Sequence, residues 1–126
     1  MNAKTVFKIH SVIFLLNGLG QLFVTAAFFE MATMEITPDL VAIGQFMGVT
    51  FIFLSFLMWN IPNLAGHTIN KFGSLWALAC LMWTAIIGYH IYIGVAGGST
   101  AFVNIGLFAL FAVLYFTSSR DKKTSS

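Results

Sequence analysis

Charge is the scarcest property of this 126-residue sequence: only 8% of its residues are Asp, Glu, Lys or Arg, about a third of the share carried by a soluble domain. The near absence of titratable groups points away from an enzyme. A single cysteine, Cys80, sits inside an apolar run, which excludes an internal disulfide and leaves no CxxC pair for zinc or dithiol chemistry. Proline occurs twice, at positions 38 and 62, both at the borders of apolar runs, so those runs can continue as helices. What remains is 59% hydrophobic with a mean hydropathy of +0.91 and 14 phenylalanines. This composition belongs to an all-α integral membrane protein. The formal charge of +2 reads as basic anchors against anionic head groups, and no nucleic acid partner is implied.

Four apolar segments are long enough to cross a bilayer as helices. The expected spans are 6–28, 39–60, 73–95 and 101–117, forming one transmembrane domain over 1–118, with a short polar tail at 119–126. The first could instead be a secretory signal, with Val24 and Ala26 as a small-residue cleavage pattern. A retained helix is preferred because Asn17, Gly18, Gly20 and Gln21 interrupt what should be an unbroken apolar centre. Thr37-Pro38-Asp39 opens the second helix with a cap, a first-turn proline and an acid at the positive end of the dipole. Gly44 and Gly48 form a small stripe on that helix, the pattern that lets two spans approach closely. Ile61 to Phe72, with Pro62 and Gly66, reads as the turn to the third span. In that span Trp76, Trp83 and His90 recur every seven residues on one face, and Cys80, Thr84 and Gly88 every four on another.

All six basic residues lie at the N-terminus (Lys4, Lys8), in the second loop (Lys71) or near the C-terminus (Arg120, Lys122, Lys123), whereas the first loop carries only acids. Four spans bring the basic segments to one side, and the positive-inside rule assigns that side to the cytoplasm. Both termini are therefore expected to be cytoplasmic, in the inner membrane.

Each span also offers one strongly polar side chain. Counted at 1.5 Å per residue from the span centres, Gln21, Gln45, His90 and Asn104 fall roughly 6–9 Å toward the outer face. Amides and imidazoles in hydrocarbon must find partners. The four are expected to converge as a hydrogen-bonded clamp or as a polar pocket with Trp83 and Tyr89 as walls. His10 and His67 read as solvated histidines at the inner rim.

The stretch His10 to Trp59 resembles the start of small four-helix membrane proteins of the DoxX-like kind. The residues that carry the likeness are GLGQLF (Gly18 to Phe23), ITPD (Ile36 to Asp39) and the glycine-bearing second helix ending at Trp59. The resemblance implies a four-helix bundle in a cytoplasmic membrane. Named members are linked to quinone-dependent sulfur oxidation, but an arginine associated with their second helix is Gln45 here, and no residue matches a redox site.

The functional expectation is an accessory or small-molecule-binding bundle without a cofactor or metal, whose partners are the bilayer and a small amphipathic ligand. Self-association or membership of a larger membrane complex is compatible with it. One alternative is a haem- or quinone-associated redox subunit built on His10 and His90. Their estimated depths, about 10 Å inward and 9 Å outward of the span centres, set them too far apart for one haem. The other is an oligomeric transporter or channel component, for which the sequence offers no broken helix pair or buried carboxylate.

Overall fold

A computed structural model describes residues 1–120, which are all-helical apart from the connections. The order is α1 (Ala3–Phe23), α2 (Thr25–Glu30), α3 (Pro38–Ala65), a 3₁₀ turn at Gly66–Thr68, α4 (Ile69–Tyr92) and α5 (Gly98–Arg120). The helical runs Ala3–Phe23, Pro38–Tyr92 and Gly98–Arg120 are each long and apolar enough to cross a membrane. Within the 55-residue run the chain reverses at Gly66, whose φ of 55° is a backbone conformation that a Cβ disfavours. The reversal brings the Phe51 and Trp83 rings to 6.1 Å.

The four long helices alternate in direction. Gly18 on α1 lies against Gly48 on α3, and Lys8 sits 3.9 Å over the Trp59 ring. Phe7 meets Trp76 and Phe14 meets Trp83, so α1 and α4 run parallel. Trp83 stacks on Phe108 while Gly73 lies beside Ser119, so α4 and α5 are antiparallel. This arrangement gathers Lys4, Lys8, Lys71 and Arg120 at one end of the molecule and Glu30, Glu35 and Asp39 at the other.

Contact is concentrated in two pairs, α1 with α3 and α4 with α5. A Cβ at Gly18 would approach the Gly48 carbonyl oxygen to 2.9 Å, and one at Gly48 the Gly18 carbonyl oxygen to 2.8 Å. Both contacts are to backbone, which cannot rotate aside, so only glycine fits this crossing. Gly44, one turn earlier, faces Thr25 and Phe29 of α2 instead.

Several boundaries differ from expectation. The first helix begins at Ala3, where the Asn2 side chain accepts from the Thr5 amide. It breaks at Val24 (φ −128°, ψ 48°), where the Thr25 hydroxyl donates back to the Gln21 carbonyl, a bond that bends helices. The third helix runs through Pro62 to Ala65. Proline removes one backbone donor, the partner of the Met58 carbonyl, and at Pro62 this costs a single bond in the last turn of the helix. The fourth begins at Ile69 and ends at Tyr92. The start of α3 follows the cap chemistry closely: Thr37 Oγ1 accepts from the Leu40 amide at 3.1 Å, with Pro38 in the first turn. Of the expected tail, Ser119 and Arg120 belong to α5, and 121–126 lie outside the described residues.

Candidate functional site

One aromatic ring from each long helix meets at mid-height. Phe14 of α1 stacks on Phe51 of α3 at 4.8 Å, Trp83 of α4 stacks on Phe108 of α5 at 4.9 Å, and Phe14 meets Trp83 edge-on at 5.6 Å. These offset and edge-on geometries are the favoured ones for aromatic pairs. The layer divides the interior into two halves of different character.

Toward the basic end the interior is packed. His10 is 1% exposed and Tyr115 is 0% exposed, and His10 Nδ1 lies 3.0 Å from the Tyr115 hydroxyl. The imidazole stacks on Phe111 at 4.1 Å and 8° and meets Phe14 edge-on at 4.6 Å. His10 is therefore not a solvated rim residue. Because α1 starts at Ala3 and bends at Val24, its midpoint falls near Ile13, and His10 lies about one turn from it. His67 is exposed in the 3₁₀ turn.

Toward the acidic end the four helices leave a cavity of about 400 Å³, within the range of small-molecule sites. Phe51, Trp83 and Phe108 form its floor. The bend at Val24 carries Phe28 and Phe29 of α2 over its upper wall. The two loops at this end are tied together: the Gly97 amide donates to the Ala32 carbonyl at 2.7 Å, and the Thr100 hydroxyl donates to the Phe28 carbonyl at 3.3 Å. Gly98, at φ 70°, packs on the Met31 carbonyl, 2.5 Å from where a Cβ would stand.

The polar part of the wall is Gln21, His90, Asn104 and Thr100. Three of the four expected polar residues thus line one cavity. Gln45 does not join them: it is exposed, whereas Leu40, Ile43, Met47 and Phe51 present the cavity-lining face of α3. Gln45 follows Ile43 by two residues, about 200° around the helix, so it must point to the opposite side. Of the expected walls, Trp83 lines the floor, while Tyr89 is 57% exposed and lies outside the cavity. Tyr89 precedes His90 by one residue, which turns it outward when His90 faces in.

Gln21 is the unusual member. It is 3% exposed, and its Oε1 is buried with no hydrogen-bond partner. Buried polar groups are nearly always paired, so this amide is incomplete in the protein alone.

The cavity also opens sideways. Ile43 and Met47 on α3 and Ile86 on α4 line it while being 58%, 41% and 46% exposed. A shallow surface depression at Ala79, Met82, Trp83 and Ile86 continues from this opening along α4. Sequence reasoning named Gln21, His90, Asn104 and Trp83 but missed the rest of the aromatic floor and the side opening. Phe14, Phe51 and Phe108 look like ordinary apolar residues until the helices are paired.

Fold and site together define an all-helical protein with helices apolar enough to cross a membrane and a blind, largely apolar cavity at its acidic end. Compared with models of known protein families, with curated proteins and with solved structures, the chain matches none.

Proposed function

We propose that this chain is a non-enzymatic, multi-pass integral membrane protein that holds a small amphipathic molecule in the cavity at its acidic end. In this reading α1, α3, α4 and α5 span the inner membrane as a four-helix bundle, with the basic end and both termini in the cytoplasm. Orientation rests on the collection of Lys4, Lys8, Lys71 and Arg120 at one end. Kinship with DoxX-like proteins belongs to the same proposal. Gly18 and Gln21 of the GLGQLF stretch form a helix contact and a cavity wall, and Thr37 of ITPD caps α3.

The observation that carries the binding role is the buried, unpartnered Gln21 amide on a roomy apolar cavity. A clamp that only fixed helix register would pair this amide with His90 or Asn104. The geometry favours binding over the alternatives. His10 and His90 lie on opposite sides of the aromatic layer, so they do not form one haem site. The same layer lies between the cavity and the basic end, which supports holding a molecule over conducting one.

Native mass spectrometry and lipid extraction of the purified protein test this reading. A stoichiometric co-purifying amphiphile is expected, and Ala101→Leu, which adds three carbons at a buried cavity residue, should expel it while leaving helicity unchanged. Wild-type protein that carries no adduct, and gains none from added amphiphiles, overturns the proposal.

A further inference from the structure

The geometry points to a particular class of occupant: a neutral lipid whose apolar chain ends in a hydroxyl, taken up from the bilayer between α3 and α4. This inference rests on the proposed binding role and adds the head group and the route.

The head-group argument starts from the wall. Among the described residues, no Lys, Arg, Asp or Glu lines the cavity. A carboxylate, phosphate or ammonium head would therefore be buried without a counter-charge, which is costly. The acids nearest the cavity, Glu30, Glu35 and Asp39, are exposed beside it, and they make an anionic head still less favourable. Primary amides at Gln21 and Asn104 each offer both donors and an acceptor, and an imidazole at His90 can do the same. The complement of such a wall is a group that both donates and accepts. A hydroxyl does, whereas a carboxylate only accepts and an ammonium only donates. Asn104 and His90 are partly exposed and present donors and acceptors to the cavity, and a hydroxyl answers both, whereas an ether only accepts.

The route follows from where the cavity is open. Backbone and side-chain hydrogen bonds from Gly97 and Thr100 to the α2 region bridge the loop end. Ile43, Met47 and Ile86, by contrast, are both cavity-lining and exposed on the flank of the bundle. An apolar flank of a membrane-embedded bundle faces acyl chains. A molecule entering there arrives from the lipid phase, chain and head together.

The test uses the full chain in nanodiscs, with Trp59→Phe and Trp76→Phe leaving Trp83 as the one remaining tryptophan, and reads saturable quenching of Trp83 on the cavity floor. The probes are a long-chain alcohol brominated near its end and, at equal chain length, its methyl ether, carboxylate and ammonium. The alcohol is expected to bind roughly tenfold more tightly than the ether, the worth of one buried hydrogen bond, and more tightly than either ion. Asn104→Leu should reduce the alcohol-to-ether ratio to about one while the ether still quenches. Equal binding of alcohol and ether by the wild type, a preference for an ion, or an undiminished ratio in Asn104→Leu overturns the hydroxyl assignment and leaves the binding role standing. Absence of saturable quenching by every probe overturns both. The wild-type ratio decides the matter even where Asn104→Leu fails to fold.

Discussion

Replacing Tyr115 by phenylalanine removes one oxygen from the most enclosed part of the molecule and leaves His10 Nδ1 facing an aromatic cage. The bond lost is 3.0 Å long and joins α1 to α5 across 105 residues. Leaving the buried imidazole unpartnered costs about 1–2 kcal/mol, so Tyr115→Phe should destabilise by about that amount. His10→Phe keeps a ring over Phe111, whose plane lies only 8° from the imidazole, but strands the Tyr115 hydroxyl at a similar cost. The double variant strands nothing, so it should be less damaged than the two singles summed, with a coupling of about 1–2 kcal/mol. Reversible unfolding in mixed micelles measures all four corners of the cycle. Strictly additive losses would show that the two helices are held together by ring packing alone and that the hydrogen bond contributes nothing.

Gly48→Leu should cost on the order of 1–3 kcal/mol, because its side chain would run into the Gly18 carbonyl and the Leu22 amide; an unchanged melting temperature in detergent would contradict the α1–α3 contact. Gln45→Leu, by contrast, should leave melting and bound amphiphile unchanged, since Gln45 is exposed; loss of the amphiphile would return that residue to the site. Thr37→Ala removes the cap on the Leu40 amide and should cost about 1 kcal/mol, read as a lower melting temperature that Thr37→Asp restores. A C-terminal tag should be cleaved by protease in inverted vesicles and protected in spheroplasts; the opposite pattern refutes the orientation.

Much of the helix layout could be read from single residues. Thr37 and Pro38 mark a helix start because their chemistry is local: one hydroxyl, one amide three residues on. The Gly44 and Gly48 stripe likewise announced a close approach. On a helix Gln45 lies only about 60–100° from that stripe, so the stripe alone did not fix which way Gln45 points. Depth was the weaker inference. His10, Phe14 and Gln21 share the buried face of α1 with Ala3 and Phe7, a repeat visible in the sequence, yet the height of His10 depended on the break at Val24, and a threonine such as Thr25 can bond back along a helix without ending it. Of the cavity, Gln21, His90, Asn104 and Trp83 were named from the sequence, but its apolar volume and side opening were not legible. The cavity lies between two pairs, α1–α3 and α4–α5, that each pack tightly within themselves, and the space left between two helix pairs depends on how they dock, which individual side chains do not encode.

That pairing also gives the chain an order of assembly. Each tight pair is made of neighbours in sequence, α1 with α3 and α4 with α5, and the boundary between them is the reversal at Gly66. A ribosome delivering the chain would release the first hairpin whole, its Gly18–Gly48 crossing already able to close, before α4 has left the tunnel. The second hairpin could then fold against itself and dock, with Trp83 and Phe108 arriving as a stacked pair onto Phe14 and Phe51. Docking is the step that creates the cavity, so the site exists only once the last helix has been made. A protein divided at Gly66 and produced as two pieces in one membrane would be expected to reassemble along this seam.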